Sequence, residues 1–125
     1  MKVEKYEGSY VSCDGIESRG WVAWLDPTPP PPTEFHVVGE VYVSNPGMDP
    51  FLTPKEPQGT NPQILLLDLH LLQKPGAWPR VFVWKSVGYT KVKPGTKYTQ
   101  VQVFCGGTII ADVPVEPIAF IQNQS

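Results

Sequence analysis

Cysteine and histidine are scarce in this chain, and their scarcity removes whole classes of chemistry. Of 125 residues two are cysteines, Cys13 and Cys105, and neither belongs to a C-x-x-C pair, so zinc-ribbon and thioredoxin-like motifs are absent. The two histidines, His36 and His70, are too few for a three-histidine metal centre. No P-loop, G-x-G-x-x-G, G-x-S-x-G, H-E-x-x-H or EF-hand pattern occurs, so no cofactor is expected.

Charge is thin as well. Charged residues make up 18% of the chain, against an average of about a quarter, so much of the surface must be uncharged. Ten basic residues against twelve acidic ones give a net charge of −2. That is no footprint for nucleic acid, which needs a basic face. No run approaches the roughly 18 apolar residues of a membrane span. The opening M-K-V-E-K-Y-E-G-S-Y has no apolar stretch of the signal-peptide kind. A soluble, cytoplasmic protein is the expectation, although a secreted chain trimmed of its leader would read the same. In the cytoplasm Cys13 and Cys105 should be two buried, reduced thiols. The alternative is one disulfide tying an early strand to a late one.

What the chain has in quantity is proline, 15 residues, and glycine, 11, within a composition that is 41% hydrophobic. That combination implies many turns rather than disorder. The length suits a single domain over residues 1–125 with a core of its own.

The segment 62–86 organises the reading. Leu65, Leu67, Leu69 and Leu71 alternate with Ile64, Leu66, Asp68, His70 and Leu72. At strand spacing this gives one fully apolar face and one mixed face. At helical spacing Leu67 falls among Gln63, His70 and Lys74, and no polar face emerges. A strand over 64–72 is therefore expected, joined through a Pro-Gly turn to a second strand that begins Val81-Phe82-Val83-Trp84.

Further strands follow from the same period. Lys2 to Ser12 alternates weakly. Ile16 to Leu25 follows the hairpin signal Asp14-Gly15. Glu34 to Ser44 places Phe35, Val37, Gly39, Val41 and Val43 on one face. Tyr98 to Cys105 turns Thr99, Val101, Val103 and Cys105 inward and Tyr98, Gln100 and Gln102 outward. Gly106-Gly107 signals a hairpin into Thr108–Val113. Pro114 and Pro117 should leave residues 115–121 as an edge strand at best. Between these strands lie a proline-rich connector, 26–33, whose prolines favour polyproline II, and a long loop, 45–61, with four prolines. The sum is an all-β fold, an antiparallel β-sandwich of about seven or eight strands, with a small β-barrel as the alternative.

Two groups of residues could carry function. His36 and Glu40 share one strand face, and Asp68 and His70 share another. If those faces met, the four could hold a divalent metal ion or supply acid–base chemistry. The other group is apolar: Trp78 in the Pro-Gly turn, and Phe51 and Leu52 in the long loop, could form contacts to a ligand or partner. With no catalytic motif, the leading expectation is a non-enzymatic binding or interaction module that takes a protein partner or forms a homo-oligomer. The alternatives are a small metal-dependent or acid–base enzyme built on His36, Glu40, Asp68 and His70, and a carbohydrate-binding module using Trp78.

Overall fold

The computed structural model describes residues 8–26 and 33–116, so most of the proline-rich connector, the chain before Gly8 and the chain after Glu116 lie outside the described residues. The described residues form eight strands and no helix: β1 (Ser9–Val11), β2 (Glu17–Asp26), β3 (Glu34–Val43), β4 (Met48–Pro54), β5 (Ile64–Gln73), β6 (Val83–Val92), β7 (Gln100–Cys105) and β8 (Thr108–Glu116). They make one curled, mixed sheet in the order β1-β5-β7-β8-β2-β3-β6, with β4 also paired to β5. The curl is that of a half-barrel.

β5 is the hub, as its leucines require. Leu65, Leu67, Leu69 and Leu71 are all buried, Leu67 completely. Leu67 pairs with Pro54 of β4 and Val103 of β7, while Leu71 pairs with Pro50 of β4 and Val11 of β1. A strand residue has two edges, so β4 must run along one edge of β5, and β1 and β7 lie end to end along the other. The opposite wall buries Ala23 of β2, Phe35, Val37, Val41 and Val43 of β3, and Val87 of β6. One core fills the space between the walls.

Several sequence expectations are corrected. β5 and β6 are consecutive but do not pair; β6 pairs with β3 from Val83↔Val43 to Val92↔Glu34. Both edges of β5 are already occupied. Val81 and Phe82 stay outside the strand and are exposed. The Asp14-Gly15 turn is present, but β1 goes to β5 and β2 to β3, so the turn switches walls instead of closing a hairpin. The sheet is not all antiparallel, because β5–β7 and β2–β8 are parallel pairs. The end of β8 is no edge: Val115 and Glu116 pair with Ala23 and Trp24.

The long loop 45–61 hides β4. Its prolines argue against a strand, yet their spacing permits one. Lys55 N donates to Leu66 O at 2.9 Å and Lys74 N to Gly47 O at 2.8 Å. Odd-numbered residues of β4 therefore bond to β5, and Pro50 and Pro54 fall where no N–H to β5 is needed. The same prolines remove two of the donors, those of positions 50 and 54, from the outer edge of β4. There, β6 approaches without a backbone ladder, and Lys85 reaches across instead, donating to Pro46 O and to Asp49 Oδ1 at 2.9 Å.

The cysteines are not free thiols. Cys13 and Cys105 form a disulfide with Cα atoms 5.9 Å apart. Cys13 follows β1 and Cys105 ends β7, so the bond stitches together the two strands that share one edge of β5.

Candidate functional site

The four polar candidates are split between the two walls. Within each strand they do share a face. On β3, His36 Nδ1 lies 3.1 Å from Thr90 Oγ1 and Nε2 lies 3.2 Å from Glu34 Oε1, with the ring stacked on Trp24 at 5.1 Å. Glu40 binds Arg19 at 2.7 Å. On β5, Asp68 meets Lys55 at 3.6 Å. His70 Nε2 lies 2.7 Å from Thr53 Oγ1, and its ring stacks on Phe51 at 4.9 Å. The odd residues of both strands face the one core, so the even residues of β3 and β5 point outward from opposite walls. His36 and Glu40 therefore cannot converge with Asp68 and His70. Among the described residues no group of three or more His, Cys, Asp or Glu could hold a metal ion.

The apolar candidates also part. Leu52 is 7% exposed and belongs to the core, where it pins β4. Phe51 lies on the outer face with His70 and with Tyr10, whose ring is 6.1 Å away. Trp78 stands elsewhere, at the end of the fold where the β3–β4 turn meets the β5–β6 loop. Its Nε1–H donates to Lys74 O at 3.0 Å. Its ring lies so close over Gly47 that a Cβ there would fall 2.2 Å from the indole. The ring is thus seated on backbone, yet it keeps 37% of its surface exposed.

Trp78 lines a cleft of about 480 Å³ with Ser44, Asn45, Gln73, Arg80 and Phe82. Phe82, 56% exposed, links the cleft to an aromatic row: it lies 5.1 Å from Tyr42, which lies 4.6 Å from Trp84. Arg19 covers Trp84 at 3.8 Å from the ring centroid and is itself held by Glu40. The open rings are therefore at the cleft end of the row.

The cleft lining includes an amide pair. Asn45 Nδ2 donates to Gln73 Oε1 at 2.8 Å, and Gln73 Nε2 donates to Asn45 Oδ1 at 3.1 Å. Asn45 Oδ1 also accepts from Gly47 N, and Gln73 Nε2 also donates to Lys74 O. Counting capacities, one N–H of Asn45 and one lone pair of Gln73 are left over.

Beside the cleft, Asp49 is shared by Lys85 at 2.9 Å and Lys74 at 3.5 Å. The hydrogen bond from Lys85 is the main cause holding the Asp49 carboxyl below its ordinary value of 3.8; partial burial opposes it, and the charges of Lys85 and Lys74 reinforce it. Folding therefore favours the charged form. Its contribution is intact above the ordinary carboxylate range and is lost as pH falls through the lowered value. Urea melts should show the native chain losing more stability between neutral pH and about pH 3 than Asp49→Asn does. Equal losses would mean that this bridge does not close the β4–β6 gap.

Trp78 was recognisable from the sequence as an aromatic residue in a turn. In the sequence Phe82 and Trp84 mark only the start of the second strand and not part of a site. Tyr42 enters only through the β3–β6 register, and Asn45 and Gln73 only through the β4–β5 pairing, whereas Arg80 lies in the same loop as Trp78. No family model, curated protein or solved structure matches the chain.

Proposed function

We propose that the chain is a non-catalytic carbohydrate-binding module whose platform is the cleft at Trp78 and Phe82. The observation that supports this most is the pairing of two open aromatic rings with an amide pair that has one donor and one acceptor to spare. Ring faces cover the apolar face of a sugar, and a spare donor beside a spare acceptor matches a hydroxyl group. A sheet curled into a small barrel, closed at β4–β6 by Lys85, would hold these groups rigidly, which limits the ordering cost of binding. The Cys13–Cys105 bond fits an oxidising, extracytoplasmic setting better than the cytoplasm.

Titration with a panel of oligosaccharides, read by tryptophan fluorescence, tests the proposal. Phe82→Ala should weaken the best ligand by about tenfold with an unchanged melting temperature. An unresponsive spectrum across the panel, with no heat of binding, would remove this reading.

A protein partner or a second copy of the chain is the other reading. Val38, 41% exposed, and Val92, 50% exposed, favour it, since both stand on the outer face of β3 and β6. Sedimentation velocity decides the second copy: a strict monomer at high concentration would eliminate it.

A further inference from the structure

We infer that the Trp78 cleft selects acidic saccharides, with Arg80 receiving a uronate carboxylate while the rings and the amide pair hold the sugar. The inference rests on the carbohydrate reading above and adds the ligand's charge.

The charge follows from the residues at the rim. Lys74 and Arg80 both line the cleft, in a chain whose net charge is −2. Among the described residues no carboxylate pairs with Arg80. Asp49 does not neutralise Lys74 fully, because its shorter contact, 2.9 Å, goes to Lys85 and only the 3.5 Å contact to Lys74. The cleft is therefore cationic. An arginine fork matches a planar carboxylate through two parallel hydrogen bonds, which a lysine cannot do.

The remaining groups narrow the class of anion. A bare inorganic anion would use Arg80 and Lys74 but leave the open faces of Trp78 and Phe82 and the spare hydrogen-bonding capacity of Asn45 and Gln73 unused. A sugar acid uses all of them: a carboxylate for Arg80, hydroxyls for the amides, and C–H faces for the rings. Lys74 also lies 5.5 Å from the Trp78 ring centroid, so charge and aromatic face adjoin.

The test compares an oligogalacturonide with its fully methyl-esterified form, which keeps the backbone and removes the charge. Calorimetry on the full chain should give the acid at least about tenfold tighter binding. Arg80→Gln, an exposed loop change that leaves the core alone, should bring the two ligands within about twofold. Gly47→Ala should displace the Trp78 ring and weaken both ligands while the folded β spectrum persists. Equal binding of acid and ester to the native chain would overturn the inference and leave the carbohydrate reading standing. Binding of neither would overturn both. Sulfate binding as tightly as the oligogalacturonide, or a selectivity unchanged in Arg80→Gln, would also overturn it.

Discussion

Leu67→Ala should cost about 2–5 kcal/mol in urea melts, the range for emptying a well-packed leucine site. Leu67 is fully buried at the middle of β5, between β4 on one edge and β7 on the other. Neighbours on both sides are held in hydrogen-bonded ladders, so the cavity has little scope to collapse. Leu67→Val should lose on the order of 1 kcal/mol, close to one methylene, because a β-branched side chain suits an extended backbone. His70→Ala, on the outward face of the same strand, should stay under about 1 kcal/mol. A loss below about 0.5 kcal/mol for Leu67→Ala would mean that β5 is not the hub of the core.

The second large effect concerns the staple. Replacing Cys13 and Cys105 together by alanine should cost about 2–5 kcal/mol, since a cross-link across a long loop restricts the unfolded chain strongly. The two residues are 92 apart in sequence. Both are buried, so alanine leaves only small voids and the loss belongs mainly to the missing bond. Reducing agent should lower the melting temperature of the native chain and leave the double variant unmoved. If the native chain melts at the same temperature with and without reductant, the bond contributes nothing to stability.

Strand identity was legible wherever one face of a strand is buried and the other is not. Phe35 to Val43 and Leu65 to Leu71 alternate cleanly, because each pair of successive residues divides between core and solvent. The same logic turned Val101, Val103 and Cys105 inward, and they are buried, but it failed just before the strand: Thr99, expected inward, is exposed, and Tyr98, expected outward, packs on the core with its ring 5.1 Å from Phe35. Pairing was not legible. Alternation says which face of a strand is buried and nothing about what lies at its edges, so β5–β6 looked like a hairpin although both edges of β5 go to other strands. β4 was masked by prolines whose spacing becomes harmless only once the partner on a single edge is known.

The same distinction governs the site. His36, Glu40, Asp68 and His70 were grouped by face correctly within each strand, but convergence required the two strands to be neighbours in one wall. They lie in opposite walls that share the core. Trp78 drew attention because an aromatic residue in a turn has no obvious core to enter. Lys74, Arg80 and Phe82 share its loop, but the amide pair joins Asn45 of the β3–β4 turn to Gln73 at the end of β5, a meeting set by a pairing that no local pattern records.

The placement of β8 has a consequence for the order of events during synthesis. β7 and β2 are both flanked by β8, antiparallel to the former and parallel to the latter. Until residues 108–116 have left the ribosome, each of those strands presents an unsatisfied edge, and the curled sheet lies open between them. The parallel contact of Val115 with Ala23 also spans most of the chain, a separation that slows closure. The nascent protein thus passes through a stage with two adhesive edges, and the last described strand to emerge is the one that covers both.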